Sequence, residues 1–125
     1  MYTPKHFTTK ELACKHCGEL KMSDEFLQEL DGLREEYGSA LFVNSAYRCS
    51  QHPDEIVKAD GPGAHNAGLA VDFRVQGEAA VKLLGVALKR GWTGIGVNQK
   101  GAGRFLHLDR MPNQLDAPRP GIWSY

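Results

Sequence analysis

Apolar residues recur at helical spacing in two stretches of this chain and alternate with polar ones in two others. The clearest helical stretch is "MSDEFLQELDGLREEYG", where Phe26, Leu27, Leu30, Leu33 and Tyr37 fall on one stripe. A period near 3.6 makes that stripe the buried face of an amphipathic helix. Ser23 stands where an N-cap acceptor is wanted, and Gly38 where the chain must leave the helix. "GEAAVKLLGVALKRG" repeats the pattern and predicts a second helix stopped at Gly91. A short first helix is expected at "TTKEL", where Thr8 and Glu11 have capping-box spacing, and the following "CKHCGE" reads as a turn or knuckle.

Strands are expected at "ALFVNSAYR", "LAVDFRV", the small-residue "TGIGVN" and, after a turn, a last one at "GAGRFLHLDR". Residues 50–68 are polar with Gly and Pro and predict a long surface loop, a kind of segment that usually carries function. The tail "MPNQLDAPRPGIWSY" reads as extended, with aromatics that could dock on the domain. Helices precede a cluster of strands, so the expectation is α+β: a small, mostly antiparallel sheet with flanking helices, in one domain spanning residues 1–125.

Alternation along the strands sorts their side chains into two faces. In "RFLHLDR", His107 and Asp109 share one face while Leu106 and Leu108 face a core. In "LAVDFRV", Asp72 lies with Ala70 and Arg74, opposite Val71, Phe73 and Val75. His65 sits on the loop entering that strand. Two histidines and an aspartate, with a fourth position open to water, have the composition of a catalytic zinc site. Taken singly, each residue would read as an ordinary surface or edge side chain.

Composition narrows the field further. Fifteen basic and fifteen acidic residues give a formal net charge of zero, which argues against a nucleic-acid binder held by a broad basic face. No apolar run reaches the length of a membrane span, and "MYTPKHFTTKEL" has no apolar leader region. The expectation is a chain made in the cytoplasm without a signal peptide, with no membrane insertion, as a monomer. Cys14, Cys17 and Cys49 are odd in number, so they cannot all form internal disulfides. Cys14-x-x-Cys17 and Cys49-x-x-His52 together offer the composition of a second, structural zinc site. A Cys14–Cys17 disulfide, buried thiols, or His16 as fourth ligand are the alternatives.

"SAYRCSQHP", "GAHNAGLAVDF", "RFLHLDR" and the closing "RPGIWSY" resemble the M15 zinc peptidases. Those are D-alanyl-D-alanine carboxypeptidases and related peptidoglycan peptidases, many carried by phages, that share a fold with the Hedgehog signalling domain. The family pattern Ser-x-His-x-x-Gly-x-Ala-x-Asp is matched by His65, Gly68, Ala70 and Asp72, and its later His by His107. The resemblance covers roughly residues 6–125. It implies a Hedgehog/DD-peptidase-like fold, zinc on His65, Asp72 and His107, and Arg48 as the arginine that holds substrate. It further implies action on peptidoglycan stem peptides at the cell wall, in a phage or prophage setting, as carboxypeptidase or endopeptidase. The alternative is a weak or inactive zinc-containing module that binds cell wall or peptide.

Two positions depart from the pattern. Gly63 stands in place of the serine, and Arg104 in place of an acidic base three residues before the last His. Asp109 is then the remaining candidate to accept a proton, or alternatively a residue that orients a ligand. Arg104 is a candidate to hold an oxyanion or an acidic substrate.

Overall fold

The computed structural model describes residues 1–57 and 63–125. Helix α1 (Thr9–Leu12) has the expected capping box, with Thr8 and Glu11 bonding each other's backbone reciprocally. Helix α2 (Asp24–Tyr37) starts where the Ser23 hydroxyl accepts from the Phe26 N–H and ends at Gly38, whose φ of +87° is left-handed. Its whole apolar stripe is buried, and Asp31 is buried with it. Asp31 ties down the N-terminal segment by accepting from the Tyr2 hydroxyl and from the backbone N–H groups of Lys5 (2.8 Å) and His6 (3.0 Å).

Strand β1 (Phe42–Ser45) is shorter than the apolar run suggested. Beyond Ser45 the chain leaves the sheet, and the Tyr47 N–H pairs instead with the Leu12 carbonyl at 3.1 Å. The described part of the expected loop is more ordered than its polarity indicated. It holds helix α3 (Pro53–Ile56) and a turn that buries His65. The middle of that loop, 58–62, lies outside the described residues. Strand β2 (Ala70–Arg74), helix α4 (Gly77–Lys89), strand β3 (Gly94–Asn98) and strand β4 (Phe105–Asp109) follow in the expected order.

The tail adds a correction. Gly121–Ser124 form a fifth strand, β5, parallel to β3, so β4 is not the last strand. The sheet order is β1-β2-β4-β3-β5, antiparallel everywhere except at that final pair. Two adjacent apolar residues, Ile122 and Trp123, form too short a run to stand out against a Pro-rich background. One face of the sheet carries Val71, Phe73, Ile95, Leu106 and Leu108 into the core beside Leu30, Leu33 and Leu83 of the helices. Phe26 meets Trp92 edge-on at 5.5 Å between ring centroids. Among the described residues no helix is long and apolar enough to cross a membrane.

Candidate metal centre

The opposite face of the sheet carries the polar residues, and strand register decides which of them meet. Asp72 on β2 pairs with His107 on β4, which pairs with Gly96 on β3, which pairs with Trp123 on β5. One row along, Ala70 pairs with Asp109, and Asp109 with Gly94. A slip of one residue would turn all of these into the core, so the buried leucines and valines fix the site as firmly as the core. The small residues have a purpose here: a Cβ on Gly94 would lie 2.2 Å from both Asp109 carboxylate oxygens.

His65 arrives from the turn before β2. That turn requires Gly68, whose φ is +74° and whose Cβ position would be 2.2 Å from the Lys21 carbonyl oxygen. His65 Nδ1–H donates to the Ala46 carbonyl at 2.7 Å, which aims Nε2 at Asp72 Oδ1, 3.2 Å away. On the other side His107 Nδ1 is 2.9 Å from the same oxygen. The ligand atoms of His65, Asp72 and His107 all lie within 4.8 Å of one another.

Behind the centre runs a chain of charge. His107 Nε2 donates to Asp109 Oδ2 at 2.7 Å, and Arg119 grips both Asp109 oxygens at 2.9 and 2.8 Å. Asp109 is fully buried, and Met111 N–H adds a further donor at 3.2 Å. Burial alone would raise the Asp109 carboxyl, but His107 and Arg119 outweigh it and bring it down to about 2. The same contest holds Asp72 well below the usual carboxylate range, with His107 and His65 overcoming burial. Burial works against a charged His107, yet the carboxylates of Asp109 and Asp72 on its two nitrogens keep its pKa above the ordinary value.

Arg48 enters the cleft from the segment after β1. Its Nε bonds Ser45 at 3.1 Å and its Nη1 reaches the buried Glu55 carboxylate at 3.5 Å. Nη2 lies farther from its neighbours, 3.7 Å from Asp72 and 3.9 Å from Asp54, and Arg48 lines the cleft beside Asp72. Glu55 also accepts from the Gly63 N–H at 2.9 Å. The other wall of this cleft of about 360 Å³ is Phe105, Trp123 and Tyr125. Trp123 lies 5.2 Å from the His107 ring, with the Arg119 guanidinium 4.9 Å over its own ring.

The structure therefore gathers Arg48, His65, Asp72 and His107 around one cleft and sets Asp109 behind His107. It does not bring Arg104 there. Arg104 is not among the lining residues, and its Nε donates to the Gly101 carbonyl at 2.9 Å within its own turn. Residue 104 is an odd number of positions from His107 and precedes β4, so strand alternation gives it no path to the His107 face. Glu55, Arg119, Trp123 and Tyr125 were not singled out from the sequence. Only the closing "RPGIWSY" hinted at three of them, as aromatics and an arginine in an otherwise polar tail.

Two imidazole nitrogens and a carboxylate, each histidine braced on its far nitrogen, fit zinc: catalytic sites use three such protein ligands and keep a fourth position open. Such an α+β domain with a braced His–Asp–His set in an open cleft has the make-up of a zinc-peptidase domain. Residues 5–109 match the Peptidase M15 family model, and the chain belongs to that family. Searches of curated proteins and of solved structures returned no match.

A second group of ligating side chains stands apart from this centre. Cys14, Cys17 and Cys49 are all free thiols, and their Sγ atoms lie within 4.8 Å of one another. Burial raises Cys14, but backbone N–H groups of Cys49, Cys17 and His16 outweigh it and bring it to about 7. His52 is not part of this group; its Nδ1 accepts the Asp54 N–H at 3.1 Å and caps α3.

Proposed function

We propose that the protein is a zinc-dependent peptidase that hydrolyses peptide bonds in the stem or cross-bridge peptides of bacterial peptidoglycan. On this reading it acts at the cell wall, in the manner of the phage-borne peptidases its motifs resemble. The observation that carries the reading is the pairing of a His65–Asp72–His107 metal set with the Nη2 of Arg48 at the mouth of the same cleft. Bound to those three residues, zinc would supply Lewis acidity toward a peptide carbonyl and a water nucleophile at neutral pH.

The protein's own side chains supply the rest. Arg48 offers a guanidinium donor to a carboxylate or carbonyl of the peptide, braced from behind by Ser45 and Glu55. Phe105, Trp123 and Tyr125 give an apolar wall on which the peptide backbone can lie. Asp109 acts as an orienting residue: both of its oxygens are taken by His107 and Arg119, and it is sealed from the cleft. Its charge fixes the His107 ring and keeps Nδ1 directed at the metal position.

One observation favours a second reading. Among the described residues lining the cleft, Asp72 is the only carboxylate, so none of these lining side chains outside the metal set is an acid placed to take a proton. A module that binds cell-wall peptide without turnover is consistent with that. Incubating the protein with purified peptidoglycan separates the two. Zinc-dependent release of new amines, with products identified by mass spectrometry, supports the peptidase and distinguishes carboxypeptidase from endopeptidase. Retention on walls without any product supports the binding module.

A further inference from the structure

The thiol cluster has no part in the chemistry described so far, yet it is built with care. Cys14 and Cys17 lie in the turn after α1, and Cys49 follows Arg48, 35 residues along the chain from Cys14. The turn is closed by Gly18 N–H on the Cys14 carbonyl at 2.7 Å. Two backbone donors then converge on the buried Cys14 sulfur, His16 N–H at 3.4 Å and Cys49 N–H at 3.3 Å. Donors aimed at sulfur from both segments favour a thiolate, the form that ligates metal. A disulfide would use two of the three sulfurs and strand the third.

Two imidazoles border the group. His16 belongs to the turn itself, and His52 N–H bonds the Cys49 carbonyl at 3.0 Å. Their rings stand edge to face, 6.3 Å apart. Neither is within the thiol group, and His52 would have to give up its cap on Asp54 to join it.

We propose that Cys14, Cys17 and Cys49 bind a structural zinc ion, with an imidazole of the His16–His52 pair as fourth ligand. Tetrahedral zinc–sulfur bonds of about 2.3 Å set the sulfurs roughly 3.8 Å apart, and these three already lie within 4.8 Å of one another. The ion would cross-link the N-terminal turn to the segment 46–49. That short segment also carries the active cleft: the Ala46 carbonyl holds His65, Arg48 N–H bonds the His65 carbonyl at 3.3 Å, and Asn66 Nδ2 bonds the Arg48 carbonyl at 2.9 Å. The thiol site is therefore a clamp that fixes Arg48 relative to His65. This consequence for substrate binding rests on the peptidase reading; the metal site itself does not.

The test loads cobalt(II) into the metal-stripped full chain and records the spectrum. A sulfur-to-cobalt charge-transfer band is expected in the wild type and in His65→Ala. It should be lost or strongly weakened in Cys17→Ser, whose exposed position makes it the variant least disturbing to the fold. Zinc content should be two per chain in the wild type and one in Cys17→Ser. Weakened binding in His16→Ala or in His52→Ala identifies the fourth ligand, and unchanged affinity in both overturns the imidazole. No charge-transfer band in folded wild-type protein, or a two-dalton mass loss marking a disulfide, overturns the site. With a peptide substrate, Cys17→Ser should raise KM more than it lowers kcat. A dead enzyme with an intact thiolate band would count against the peptidase reading and leave the clamp standing.

Discussion

His107 stands between two carboxylates, with Nδ1 2.9 Å from Asp72 and Nε2 2.7 Å from Asp109. On the proposed reading Asp72 would share the metal position while Asp109 braces the ring from behind, which gives the two aspartates separate roles. Asp109→Asn keeps the shape of the brace and removes its charge. Loss of such a supporting carboxylate should weaken zinc affinity about 10- to 100-fold, read by competition with a chelator. A proton-accepting role would instead lower kcat and leave the affinity unchanged.

Gly94 faces that same carboxylate across the β3–β4 pair. Because a Cβ there would sit 2.2 Å from the Asp109 oxygens, Gly94→Ala must displace either the strand or the brace. Overpacking of this kind should cost about 1–3 kcal/mol in urea denaturation. Zinc affinity should fall as well. Gly85→Ala is the control, since a Cβ there meets nothing within 4 Å and the position is helical.

Arg48→Lys keeps the charge and loses the fork. Lysine cannot bond Ser45 and Glu55 while presenting a further donor to the cleft, so substrate binding should suffer most. Steady-state kinetics should give a KM raised about tenfold or more, the scale of one charge-assisted hydrogen bond. Zinc content should not change.

Far from the cleft, Glu29 joins α2 to the end of α4. It accepts from Arg90 at 2.7 and 3.0 Å and from the Trp92 indole at 3.0 Å. Burial pushes its carboxyl up, but Arg90 and Trp92 outweigh this and leave its pKa below the ordinary value. A depressed folded-state pKa stabilises the fold above the unfolded-chain value of about 4.3 and loses that contribution as pH falls through the lower, folded value. Glu29→Gln should thus cost about 1–2 kcal/mol at neutral pH. The difference from the wild type should shrink below about pH 4. A constant difference down to pH 3 would place the effect in packing instead.

Local pattern carried much of the fold into view. The α2 stripe from Phe26 to Tyr37, its Ser23 cap and its Gly38 stop depend only on neighbours in the chain, and each is where the spacing put it. Asp72 and His107 could be assigned to one face because alternation holds within a strand, although only register shows that they are partners. What escaped depends on contacts between distant segments. Glu55 is buried while its neighbours Ile56 and Val57 are exposed, a reversal of their polarities tied to contacts with distant segments, Arg48 and Gly63 among them. Arg119 finds Asp109 because β5 runs beside β3, and nothing near residue 119 announces a parallel strand. Arg104 failed to reach the cleft for the opposite reason: its spacing from His107 suggested nearness, while the turn before β4 holds it to Gly101.

The central claim is a zinc centre on His65, Asp72 and His107 that hydrolyses peptide bonds, and reconstitution tests it most directly. Metal-stripped wild type and Asp72→Asn, both verified as folded by circular dichroism, are titrated with zinc while hydrolysis of a synthetic peptidoglycan stem peptide is followed by mass spectrometry. The stripped wild type should be inactive and regain activity with zinc to a plateau, and Asp72→Asn should stay inactive throughout the titration. Cleavage by the stripped protein, equal cleavage by Asp72→Asn, or none by any zinc-loaded form would contradict the account.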